Sequence, residues 1–461
     1  MPLDIDSLPL STDQNTSRSA LDESASEYLG WIGDPVARLT AGAESDERFA
    51  LGHILAGVLR LLSGEVEISS PGLVRSRRAG REARERLTAF EQAHLAAFEA
   101  WGDGRIRRAT AIWEEILIDH PRDIWALRFA HDTYFYLGDA HNLRDSIARV
   151  LPAWPANDER HGYLLGMHAF GLEECGDYRA AEAAGRRAVE RNPADTWAIH
   201  AVAHVLEMEG RQNEGIAWLN GLQPHWQGAP ALAVHQWWHL ALYLIERGRL
   251  DEVLAIYDRH VRGSPSAALL DLVDAAALLW RLQLAGVDVG GRWQGLQEHW
   301  FLHREEHVLV FNDAHIAMVA GGLKDKAAAE ALEGSLARYL GERQGTNCDI
   351  TRLVGHDVVR AISAFAQGDF ARTVDLLLPL RYEIWRIGGS HAQRDLFTQT
   401  LIAASLAAGR WQLARALLAE RLALRPASAP SWRQYAQALE ALGDQPGAVS
   451  ARRRAAEAAA A

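Results

Sequence analysis

Apolar residues near the start of this chain recur at helical spacing. Phe49, Ala50, Ile54, Leu55, Val58, Leu61 and Leu62 fall on one stripe when wound at 3.6 residues per turn. The spacing predicts a helix over residues 21–41 and another over 45–62, the second opened by an N-capping cluster, Ser45-Asp46-Glu47. Turns are expected at Ser63-Gly64 and Pro71-Gly72. Farther along, single glycines punctuate the pattern at Gly104, Gly138, Gly176, Gly210, Gly248, Gly286, Gly368, Gly409 and Gly443. The first six are separated by 34, 38, 34, 38 and 38 residues. A unit of that length holds two helices and cannot bury its apolar face alone, so copies must stack. Helix following helix throughout is the expectation.

The block Gly176-Asp177-Tyr178, with Ala181, Ala188 and Pro193, resembles a tetratricopeptide consensus. With each glycine set at position 15 of that consensus, the small residue of position 20 falls on Ala109, Ala181, Ala414 and Ala448. The closing proline falls on Pro121, Pro193 and Pro426, and Trp432 takes the aromatic position of the last repeat. The resemblance implies an all-α fold, a tetratricopeptide-like α-solenoid of about nine to ten helix pairs curled into a superhelix, with an N-terminal helical cap. Residues 1–20, rich in Ser and Asp, are expected to be disordered, residues 21–86 to form the cap, and residues 87–461 the superhelical domain. Between Gly286 and Gly368 the register is open, with loops expected at Gly321-Gly322 and Gly345-Thr346-Asn347. Ile387-Gly388-Gly389-Ser390 is a further break, where Ser390 is placed to cap the next helix.

The same resemblance implies which side chains line the concave face. They include Trp125, Arg128, Asp132, Tyr163, Phe170, Glu173, His200, Glu207, His235 and Trp238, with His204 between them. An aromatic surface with a few convergent ionisable groups suits a small or flexible ligand. Repeat grooves that clamp a terminal carboxylate use Lys, Arg and Asn, whereas Arg128 is the one cation of this set. Sixteen Trp residues fit wedges between paired helices.

Two His-x-x-x-His motifs sharpen the picture. His200 with His204, and His235 with His239, each stand one helical turn apart on neighbouring repeats, within reach of a single ion. Neutral imidazoles suit zinc, iron or manganese, so a divalent metal on His200, His204, His235 and His239 is a candidate cofactor. His204 and His235 are the candidate catalytic residues. Asp271, Asp274, and His315 with Asp313 are placed to approach from later turns. The plainer reading is histidines bonded to backbone or carboxylate between helices.

Other groups read more plainly. His168 falls at a packing position. His131 and Asp132 are adjacent and so point apart. Ser390, His391 and Asp395 have the residue types of a nucleophilic triad, but Ser390 and His391 are neighbours, and an N-cap serine explains them. Cys348 reads as an inert thiol. The Arg-rich stretch from Arg75 to Arg86 is interleaved with Glu82 and Glu85 and reads as a solvated helix face. No phosphate-binding glycine loop and no Cys-x-x-Cys occurs.

A net charge of -12 and a pI near 5.9 lead to the expectation of no nucleic-acid partner, since phosphate binding uses clustered Lys and Arg. No apolar run is long enough to span a membrane, and the first residues lack a leader's pattern. Two cysteines, Cys175 and Cys348, suit a reducing compartment. The expectation is a cytoplasmic protein.

The stretches GMHAFGLEECGDYRAAE, IHAVAHVLEMEGRQNEGIAWL, VHQWWHLALYLIERGRLDEVLAIYD, FNDAHIAMV and GSHAQRD together resemble the tetratricopeptide repeat protein 38 family, from about Ser24 to the last repeats. That resemblance implies a folded whole-chain unit and assigns no reaction. Two readings follow: binding of a small organic molecule or peptide in an aromatic, histidine-lined pocket, or an enzyme, a hydrolase or lyase, built on the four histidines.

Overall fold

The computed structural model describes residues 8–460, which form helices and no strand. All nine glycines of the repeat ruler adopt left-handed backbone, with φ between 64° and 81°. This conformation ends a helix without the Cβ clash other residues incur. An aspartate follows several of them and caps the next helix: Asp139 accepts from Asn142 N–H, Asp177 from Ala180 and Asp369 from Arg372. The glycine stops one helix and the aspartate starts its partner. Ala109, Ala181, Ala414 and Ala448, the expected small residues, are each fully buried. The loop expected at Gly321-Gly322 differs. Helix Val310–Gly322 runs through both glycines, and Lys324 takes the left-handed position, with φ of 56°.

The chain divides into two compact units. The first holds residues up to 202 with 224–233 and 343–349; the second holds 203–223, 234–342 and 350–461. In the first, helices Ala89–Gly102 and Ile106–Asp119, Ile124–Leu137 and Ala140–Val150, and His161–Glu174 and Tyr178–Arg191 are successive pairs. Gly345 brings a later segment onto the first of these turns, where Thr346 N–H donates to Gly104 O at 2.8 Å. A side chain at 345 would collide with that carbonyl.

The N-terminal region departs from expectation. The helix expected over 21–41 is two, Asn15–Gly30 and Pro35–Ser45, broken at Gly33-Asp34-Pro35, where Asp34 caps and Pro35 enters the first turn. Helix begins inside the segment expected to be disordered, and the hydroxyls of Thr12 and Ser17 both donate to Asp46; residues 1–7 of that segment lie outside the described residues. Asp46 is therefore spent as an anchor, and the following helix starts at Ala50 with no side-chain cap.

In the second unit, pairs Val310–Gly322 with Lys326–Glu342, His356–Ala366 with Phe370–Leu377, His391–Ala407 with Trp411–Leu424, and Ala429–Ala441 with Gln445–Ala460 follow one another. Ser390 caps its helix in a capping box with Gln393, as its sequence setting predicted. Helix Leu269–Leu284 also packs against helix His391–Ala407. Trp280 Nε1–H donates to Thr400 Oγ1 at 3.0 Å, and Arg281 Nη2 to Ala392 O at 2.7 Å.

Candidate functional site

In the second unit, His204, His235 and His239 come together. All three are buried, and each offers a ring nitrogen within 4.8 Å of the others. The His204 and His239 ring centres lie 4.4 Å apart, those of His235 and His239 4.8 Å. His239, one helical turn after His235, belongs to the cluster. Carboxylates stand behind two of the rings. His235 Nδ1 bonds Asp274 Oδ2 at 2.7 Å, and His239 Nδ1 bonds Glu207 Oε2 at 3.3 Å. Such a bond fixes an imidazole's tautomer and turns Nε2 away from the carboxylate. Burial, reinforced by the neighbouring imidazoles, holds His204 and His239 well below the usual histidine range, so both are neutral at pH 7. Burial likewise raises the carboxyls of Glu207 and Asp274.

Around this cluster sits a set of arginines that sequence reasoning missed. Arg281 is 3% exposed, donates to the carbonyls of Ala277, Ala392 and Gln393, and lies 5.2 Å above the Trp238 ring. Trp238 in turn stacks on His235 at 5.2 Å. Burial pulls Arg281 down to about 10, against the opposing pull of Asp395 and Glu207. Arg421 grips Asp395 with both terminal nitrogens, and Arg425 approaches Glu207 Oε1 at 3.7 Å. Burial alone would raise Asp395, but Arg421 and Arg425 together hold it far below the usual carboxylate range. Asp395 is thus an ion-pair partner, and with Ser390 spent as a cap the triad types of that segment have structural roles.

His200 stands one turn before His204 on helix Thr196–Met208 and belongs to the first unit. There its ring lies 5.3 Å from Phe170 and 4.8 Å from Trp197. The face predicted to be an open groove is covered in this unit by helix Asn15–Gly30 and the residue after it. Tyr28 stacks on Trp125 at 5.9 Å and donates its hydroxyl to Asp132. Trp31 stacks on Trp197 at 5.6 Å. Arg128, 1% exposed, bonds Asp132 through Nε at 3.1 Å and lies 4.9 to 5.3 Å from the rings of Tyr28, Trp31 and Trp197. Burial raises the Tyr28 hydroxyl well above its usual range, and Asp132 adds to it. Trp125, Phe170 and Glu173 are buried, and Tyr163, half-buried, accepts from Asn192 Nδ2 at 3.2 Å. The expected groove walls are interior because the chain's own N-terminal aromatics lie on them.

Other expectations resolve simply. His315 donates through Nδ1 to Phe311 O at 2.7 Å and sits near Trp300, and burial lowers it to about 4. His168 is half-buried, not in the packing layer. Asp313 accepts from His307 Nδ1 at 3.0 Å, and Ser335 lies 2.9 Å from His307 Nε2. The order is that of a hydrolytic triad. Ser335 lies mid-helix, however, where neighbouring N–H groups are spent on the helix and cannot form an oxyanion hole. Asp313 and Ser335 brace His307, whose φ is 48°. Cys348 is buried and its thiol donates to Arg343 O.

No family model matches the chain. Among solved structures it is similar to a human IFIT1 dimer with PPP-AAAA, at 14% identity and a TM-score of 0.41 over 89% of this chain and 91% of that one. It is also similar to a monomeric IFIT1 mutant with Gppp-AAAA, at 14% and 0.37 over 95% of each chain, and to yeast Tom70, at 13% and 0.32 over 95% and 89%. These are helical solenoids of tetratricopeptide type, and the all-α solenoid class is shared with this chain. The expectation that nucleic acid is excluded as a partner is withdrawn. IFIT1 is a solenoid of this class solved with PPP-AAAA and m7Gppp-AAAA. A chain's net charge is a sum over its whole surface, whereas binding answers to local fields, so the total of -12 excludes no such partner. Among the described residues no helix is long and apolar enough to cross a membrane.

Proposed function

We propose that this chain is a metal-binding tetratricopeptide-type solenoid of the tetratricopeptide repeat protein 38 family, in which His204, His235 and His239 hold one divalent transition-metal ion, zinc first. The observation that carries this is the meeting of three buried imidazoles whose nitrogens lie within 4.8 Å, two of them backed by carboxylates. Zinc–nitrogen bonds of about 2.0–2.1 Å in tetrahedral array separate ligand nitrogens by about 3.3 Å. The ring nitrogens, within 4.8 Å of one another, would draw closer to reach that spacing on binding. Asp274 orients His235, and Glu207 supplies a carboxylate at the rim.

Organic ligands as large as a peptide fit less well, since His204, His239, Trp238 and Asp274 are wholly buried. A hydrolase or lyase is the second reading, favoured by Glu207, whose raised carboxyl stands beside His239 as a proton acceptor. When bound, the metal would supply Lewis acidity. Cys175 and Cys348, which form no disulfide, support a reducing, cytoplasmic setting. Elemental analysis of tag-free protein tests the proposal: about one transition-metal ion per chain is expected in wild type and loss of it in His235→Ala. Metal-free wild type that also fails to take up added zinc refutes it.

A further inference from the structure

In the first unit, the groups around Arg128 leave hydrogen bonds unmade. Arg128 Nη2 is buried and donates to nothing, although Nε holds Asp132. Asp195 is 0% exposed; its Oδ1 accepts from Ala198 N–H at 2.9 Å, while Oδ2 accepts nothing. The indole N–H groups of Trp31 and Trp197, the stacked pair beneath Arg128, are also buried without acceptors. Leaving a buried polar group orphaned is destabilising, and native interiors hold few of them. Three donors and one acceptor around one stacked pair therefore point to a missing partner.

The absence of a side chain at position 166 keeps Asp195 Oδ2 uncrowded. Gly166 faces Asp195, and a Cβ there would stand 3.2 Å from Oδ2 and 3.0 Å from the Ala198 methyl. Arg128 and Asp195 sense each other's charge, yet they form no ion pair within bonding distance. Trp31 is held in left-handed backbone, φ 57°, which is costly for a bulky residue and places its ring on Trp197.

We propose that the first unit encloses a small zwitterion of the amino-acid class, its carboxylate taken by Arg128 Nη2 with the indole N–H groups and its ammonium by Asp195 Oδ2. A guanidinium suits a carboxylate, and a buried carboxylate suits an ammonium; the ligand's two charges satisfy both protein charges at once. Its side chain would lie against Trp197 and Phe170, which are 4.9 Å apart. Helix Asn15–Gly30 with Trp31 forms the cover, so loading requires that helix to lift.

The test is a thermal-shift screen of the full chain at pH 8 with each proteinogenic amino acid, followed by calorimetric titration. At least one amino acid is expected to raise the melting temperature, while its amide, lacking the carboxylate, and its N-acetyl derivative, lacking the ammonium, do not. Asp195→Asn and Gly166→Ala, folded by circular dichroism, are expected to weaken binding by about tenfold or more, the loss of one hydrogen bond to a charged group. If no amino acid shifts melting, or if amide and N-acetyl forms bind equally well, the proposal fails. A crystal structure showing only water between Arg128 and Asp195 in the presence of amino acids also overturns it.

Discussion

Asp195→Asn has a consequence for stability that can be worked through with its sign. The unfolded chain's aspartate titrates near 3.8, whereas burial in the first unit raises it to about 7, against the pull of backbone N–H groups and Arg128. Between those values the folded state keeps a proton that the unfolded state has lost. Stability therefore falls as pH rises through this window, and the loss is complete above about pH 7. Three pH units at about 1.4 kcal/mol each set an upper bound of about 4 kcal/mol. Asparagine keeps the cap acceptor that Asp195 offers Ala198 and carries no charge to bury. For a unit of about 200 residues, 1 kcal/mol moves the melting temperature by about 2–4 °C. In amino-acid-free buffer the variant is expected to melt higher than wild type at pH 8.5, by up to about 16 °C. At pH 5, about one unit into the window, the gap should have shrunk to about 3–7 °C. Differential scanning calorimetry from pH 5 to 8.5 reads this directly. Parallel curves for the two proteins would refute the assignment of a proton to buried Asp195.

Asp274→Asn removes the charge behind His235 and is expected to weaken zinc binding by about 10–100-fold in a chelator competition; unchanged affinity counts against the histidine site. Gly322→Ala sets a Cβ 2.2 Å from the Trp293 ring, which is 2% exposed. It should cost about 1–3 kcal/mol in chemical unfolding, and an unshifted midpoint would contradict that packing. Tyr28→Phe takes the hydroxyl from Asp132 and should loosen the N-terminal helix by about 1 kcal/mol. Faster limited proteolysis before Gly33 is the expected sign, and unchanged cleavage the refuting one.

The repeat architecture was readable because its signals are local. A glycine forced into left-handed backbone, an aspartate cap and a fully buried alanine each report on a few neighbouring residues. The approach of His239 to His235 was readable for the same reason, since i, i+4 spacing fixes a shared face. The N-terminal helix was misplaced because its destination is not local. Tyr28 meets Asp132 across 104 residues, and helix Asn15–Gly30 carries no strongly apolar stripe to announce a buried face. Lys324 in place of a glycine hid one turn. Arg281 and Asp195 carry no motif at all, and Asp395 was legible only as one of three triad residue types; Arg281 takes its chemistry from Ala392 and Gln393 and Asp395 from Arg421.

Arg281 ties the second unit together in time as well as in space. Its carbonyl acceptors at Ala392 and Gln393 lie 111 and 112 residues downstream. At about 5–20 residues per second of synthesis, the ribosome takes about 6–20 s to make that stretch. Until then the helix carrying Arg281 has a guanidinium facing its apolar side with no acceptors across from it. A simple repeat array ripens one hairpin at a time as it emerges, but this unit has to wait. A nascent chain halted before Ala392 should stay protease-sensitive across its middle repeats, and the last repeats act as the clasp that releases a finished protein.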